Sequence, residues 1–100
     1  MHPDDDRETD QRYRTLAVVL QMAYQQAASG KGAERHGKDL PFTEQPLFRL
    51  MDLYGTGFAL GQAGKKAQEA QRLEKDAAVR ELLGAINYLA AVVIHLENKR

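Results

Sequence analysis

The sequence predicts an all-α protein, a small bundle of three to four helices that dimerises through its C-terminal helix. Three observations carry the fold class. Apolar residues recur at intervals of three and four through most of the chain. Strand-like alternation of apolar and polar residues does not occur. Ser29-Gly30, Thr43, Gly55-Thr56-Gly57 and Asp76, all turn or capping chemistry, fall at the ends of the periodic segments. One hundred residues make one domain. The expected layout is a single helical domain over 1–100, with a flexible acidic N-terminus at 1–8 and an exposed loop at 30–43.

The first helix is expected over 9–28. Tyr13, Leu16, Ala17, Leu20, Ala23, Tyr24 and Ala27 share one face, widened by Val18, Val19 and Met22. Ser29-Gly30 stops it, because glycine accepts the left-handed conformation at a helix end. The second helix is expected over 44–54, capped by Thr43 and made apolar by Leu47, Phe48, Leu50, Met51, Leu53 and Tyr54. Gly55-Thr56-Gly57 then turns the chain.

The third helix, over 58–73, is rich in small residues. Ala59, Ala63, Ala67 and Ala70 are read as one face that lets another backbone approach closely, and close packing is expected to offset the helix cost of Gly57, Gly61 and Gly64. Asp76 is expected to cap the fourth helix, over 77–97. Its main stripe is Val79, Leu82, Leu83, Ile86, Leu89, Ala90, Val93 and Leu96, and Ala85, Tyr88, Ala91, Val92 and Ile94 extend apolar character nearly all round. A helix of that girth in so small a chain is a central helix or half of a homodimer interface. The two longest stripes, on the first and fourth helices, are expected to pack together.

Composition excludes several function classes. Lys plus Arg and Asp plus Glu number 14 each, so no global charge draws the chain to nucleic acid or to an anionic membrane. The balance is uneven along the chain. Asp4, Asp5, Asp6, Glu8 and Asp10 stand against Arg7 alone in the first ten residues. Cysteine is absent, which excludes disulfides and thiolate chemistry and suits the cytoplasm. The acidic start does not read as a signal peptide. The run from Leu82 to Leu96 contains Gly84, Asn87 and His95 and is short for a membrane span, so no membrane partner is expected.

The segment 30–46 holds the densest side-chain chemistry. Its three glycines, two prolines, one histidine and five charged residues up to Asp39 lie between strongly periodic helices, as a recognition loop would. Lys31, Arg35 and His36, with Lys65 and Lys66 from the third helix, could form a cationic cradle for a phosphorylated nucleotide. The loop lacks the Gly-Lys-Ser/Thr ending of a phosphate loop, so solvated turn glycines are the simpler reading. His36 has no histidine partner at helical spacing and reads as a solvent-facing loop residue. Glu69, Glu74, Asp76 and Glu81 lack the repeated Glu-x-x-Glu or Glu-x-x-Asp pairing of helical Mg²⁺ sites and read as a solvated face and cap. No metal, cofactor or catalytic set is therefore expected, and the chain is read as a non-enzyme. Asn87 and His95 sit among apolar residues and are expected to find hydrogen-bond partners, Asn87 as a register-fixing contact.

Glu34-Arg35-His36 is followed by Pro41-Phe42 and Gln45-Pro46, then by Gly57-Phe58-x-x-Gly61-Gln62-Ala63 and by Glu81-Leu82-Leu83-Gly84-Ala85-Ile86-Asn87-Tyr88-Leu89-Ala90. In that order, over residues 31–96, these pieces resemble a family of small proteins encoded in phages and prophages. Within it the chain looks most similar to the all-helical anti-CRISPR proteins of type I-F systems. The resemblance implies a non-enzymatic inhibitor, cytoplasmic in the host cell, that binds the surveillance complex and blocks target DNA binding without touching nucleic acid itself. Such complexes present Lys/Arg-rich channels for the DNA backbone. From local chemistry, the contact residues are expected in two sets. Asp4, Asp5, Asp6, Glu8 and Asp10 would face a cationic channel, and Glu34, Arg35 and His36 a protein surface. The acidic set equally suits solubility and a helix N-terminus.

Overall fold

The computed structural model describes residues 10–29 and 40–99. Four α-helices follow in chain order: α1 (Arg14–Ser29), α2 (Pro46–Tyr54), α3 (Gly57–Ala70) and α4 (Lys75–Glu97). Short 3-10 turns at Gln11–Tyr13 and Phe42–Glu44 precede α1 and α2. No strand occurs among the described residues, and the all-α class stands.

Local chemistry sets where each helix begins. The Asp10 carboxylate accepts from the Arg12 amide at 2.9 Å and opens the turn that leads into α1. Thr43, expected to cap α2, lies instead inside the separate 3-10 turn. Pro46 explains the break. It disfavours helical backbone at the preceding residue, and Gln45 is extended at φ −75° and ψ 160°. Proline then suits the first helical position, where no amide partner is needed. At the far end Gly55 takes φ +87°, a conformation costly for any other residue, and its amide closes on Met51 O at 2.9 Å. For α4 the cap is Glu74 rather than Asp76: the Glu74 Oε1 atom accepts from the Ala77 amide at 2.8 Å, leaving Asp76 in the first turn. Asp76 still complements the positive pole of the helix there.

The buried centre lies between α2, α3 and the C-terminal half of α4. Phe48, Met51, Ala59, Ala91 and Val92 form it, with Phe42, Leu47, Tyr88 and Ile94 packed around. The Phe42 ring meets Phe48 edge to face, with centroids 5.3 Å apart. The most extensive helix pair is α3 on α4. Ala59, Ala63 and Ala70 are buried along it, but Ala67 is exposed. The helical repeat explains the correction: counting from Ala59 and Ala63, the facing position is 66, not 67. Lys66 takes it and lays its aliphatic stem over Gly84, where an added Cβ would come within 3.1 Å of Lys66 Cδ. The expected packing role of the α3 glycines is not met. A Cβ at Gly57, Gly61 or Gly64 would touch nothing within 4 Å.

Helix α1 joins through a narrow contact. Gln26 Nε2 donates to Arg80 O at 3.0 Å, and Asn87 Nδ2 donates to Ala23 O at 2.9 Å. The pairing of 26 with 80 and 23 with 87 makes the two helices antiparallel. Ala23 is the buried residue of α1. The two long stripes therefore meet only at the C-terminal half of α1, and Tyr13, Leu16 and Leu20 remain exposed.

Candidate interaction surface

Three pairs of charged or titratable side chains engage one another among the described residues: Asp10 with Arg12, Lys66 with Glu81 and His95 with Asp52. Asp10 forms a bidentate pair with Arg12, at 2.6 Å for the closest contact. This side-chain contact, with the Arg12 amide bond second, lowers the Asp10 carboxyl below its ordinary value and raises the Arg12 guanidinium. Lys66 Nζ donates to Glu81 Oε1 at 3.4 Å, both side chains being about two-thirds covered. Lys66 thus points along α3 and α4 to an acid, while Lys65 is exposed. Asp4, Asp5, Asp6, Glu8, Lys31, Glu34, Arg35 and His36 lie outside the described residues.

Asn87 occupies the role expected of it, a half-buried amide bonded across to another helix. His95 is half-buried, with Nδ1 3.6 Å from Asp52 Oδ1. The two sit in an open cleft of about 570 Å³ between α2 and the end of α4, lined also by Phe48, Met51, Gly55, Asn98 and Lys99. Three acidic or imidazole side chains do not converge on one point among the described residues.

Two apolar sides stand out on the surface of the described residues. Tyr13 at the end of the turn before α1, and Leu16, Leu20 and Tyr24 along one side of α1, are each 49–60 % exposed. They continue the stripe that buries Ala23 against α4, and they run past the end of that contact. A second apolar side belongs to α4. Leu83, Ala85, Ala91 and Val92 turn inward, whereas Val79, Leu82, Leu89, Val93 and Leu96 are 37–58 % exposed. Sequence reasoning merged these two sides of α4 into one all-round apolar girth. Exposed apolar faces on this scale mark interaction sites in soluble proteins. By length and composition alone, α4 also qualifies as a helix able to cross a membrane. Comparison of the chain with protein-family models, curated proteins and solved structures returns no match.

Proposed function

We propose that this protein is a non-enzymatic inhibitor that acts in the host cytoplasm by covering the surface of a larger protein assembly. The resemblance of residues 31–96 to small phage proteins makes a type I-F CRISPR surveillance complex the partner, with target DNA binding as the blocked step. The observation that carries the binding reading is the exposed side of α1 and of the turn before it, where Tyr13, Leu16, Leu20 and Tyr24 are each about half exposed among the described residues. Each leucine is about half exposed, so its burial in a partner contributes about 1 kcal/mol, roughly half the figure for a fully exposed side chain. Aromatic residues of this kind commonly anchor protein interfaces.

The acidic residues Asp4, Asp5, Asp6, Glu8 and Asp10 directly precede this side in sequence. An apolar anchor beside an acidic segment suits a partner whose own surface is rich in Lys and Arg. The acidic residues would speed encounter, and the apolar ones would slow release. The loop residues Glu34, Arg35 and His36 supply the second candidate contact.

Co-migration of the purified protein with a type I-F surveillance complex in gel filtration tests the reading. Wild type is expected to co-migrate. A Leu16→Asp, Leu20→Asp double variant is expected to lose binding while keeping its helical spectrum. Neutralising the acidic residues should weaken binding mainly at low salt, because exposed charges are screened over about 8–10 Å at physiological ionic strength. Tight binding of a cyclic or linear nucleotide, with no binding to the complex, would replace this reading with a phosphate-sequestering module built on Lys31, Arg35, His36, Lys65 and Lys66.

A further inference from the structure

We infer that α4 pairs in parallel with α4 of a second copy of this chain, through a two-stranded coiled-coil seam on its outer side. Val79, Leu82, Ile86, Leu89, Val93 and Leu96 succeed one another at steps of 3, 4, 3, 4 and 3. That is the spacing of the a and d positions of a heptad repeat. The a positions are Val79, Ile86 and Val93, all β-branched, and the d positions are Leu82, Leu89 and Leu96. This division is the one that favours two strands in parallel coiled coils. It also argues for the direction. Parallel pairing stacks a on a and d on d in layers of different geometry, so it has a reason to keep two residue types apart. Antiparallel pairing mixes a with d and has none.

The structure leaves this seam open. The side of α4 that carries Gly84 and Ala91 is covered by the bundle, Gly84 by the stem of Lys66. Five of the six seam residues lie on the uncovered side, more than a third exposed, and Ile86 is partly covered. Ala90, exposed at an e position beside the middle of the seam, is small enough to let a second helix approach. The seam side chains expose on the order of 450 Å² per copy, so pairing removes at most roughly 900 Å² from them in all, the small end of the scale for a specific interface. A seam of only six residues suffices here because the bundle already holds α4 helical. Pairing therefore carries no cost of helix nucleation. A lipid bilayer is the other apolar environment that α4 could meet. The polar groups distributed round the helix, Glu81 tied to Lys66, Asn87 tied to α1 and His95 beside Asp52, suit one apolar side rather than immersion.

Sedimentation at micromolar concentration with single-cysteine variants tests the inference. Wild type should sediment at twice the 11.2 kDa chain mass. Leu89→Glu should sediment as a monomer with an unchanged far-ultraviolet spectrum, since Leu89 is exposed within one copy. Leu96→Cys should oxidise to a disulfide-linked dimer in a parallel pair, whereas an antiparallel pair would hold two such residues at opposite ends. A monomeric wild type overturns the pairing. Cross-linking of Leu96→Cys only to Val79→Cys overturns the direction. Partition of the wild type into phosphatidylcholine vesicles, with no dimer in their absence, assigns the seam to lipid instead. None of these outcomes depends on the surveillance complex, so this inference and the inhibitor reading fail separately.

Discussion

Asn87→Ala should detach α1 before the rest of the bundle unfolds. The Asn87 amide is one of two side-chain hydrogen bonds between α1 and α4, and Ala23 is the residue that α1 buries there. A net hydrogen bond contributes about 0.5–1.5 kcal/mol, and the half-buried position of Asn87 puts the loss near 1 kcal/mol. For a domain of this size that lowers Tm by about 4–8 °C. Asn87→Asp should cost more, because a carboxylate oxygen would replace the donor 2.9 Å from the Ala23 carbonyl oxygen. Part of that excess should return in acid, where the protonated carboxyl can donate. Asn87→Leu separates this effect from helix propensity, since leucine favours helix more than asparagine yet cannot donate. Thermal melts by circular dichroism read the global effect. Amide hydrogen exchange reads the local one, and the α1 amides should lose protection before those of α3 and α4. An Asn87→Ala variant with unchanged Tm and unchanged exchange in α1 would refute the account of how α1 is held.

Gly61→Ala and Gly64→Ala should each stabilise the protein by up to about 1 kcal/mol, because a Cβ at either position meets open space and alanine favours helix; chemical denaturation measures it. Ala63→Leu should destabilise by about 1–3 kcal/mol through overpacking between α3 and α4, where Ala63 is buried, and an unchanged denaturation midpoint would count against close packing there. Asp10, held below its ordinary value of 3.8 chiefly by the Arg12 side chain, should show a depressed carboxyl titration by NMR. Its folded value lies below its unfolded one, so the stability that its cap contributes is present above the unfolded value and fades as pH falls through the folded value.

Helices α1 and α2 were legible because each carries a strong apolar period with a glycine just past its end, and α4 because its apolar run is long. Positions of caps were less so. Thr43 and Asp76 both have good capping chemistry, yet Pro46 and Glu74 set the helix starts, since a proline constrains its predecessor and a glutamate can reach back to an amide three residues on. In α3 the run of small residues hid which ones face inward. Alanine and glycine give little contrast in hydrophobicity, so Ala67 read as a facing residue and the aliphatic stem of Lys66 went unnoticed. Asn87 was legible for a different reason: a polar amide on an apolar helix must find a partner, and only the partner's identity, Ala23 O, needed the fold. The separation of α4 into a bundle side and an outer seam also needed the fold. Its apolar residues nearly encircle the helix, and periodicity alone does not say which arc meets α3.

Target-DNA binding by a type I-F surveillance complex, followed by electrophoretic mobility with increasing amounts of this protein, tests the central claim most directly. The account predicts that wild type abolishes the DNA shift, whereas the Leu16→Asp, Leu20→Asp variant leaves it intact. An undiminished DNA shift at saturating wild-type protein would contradict it.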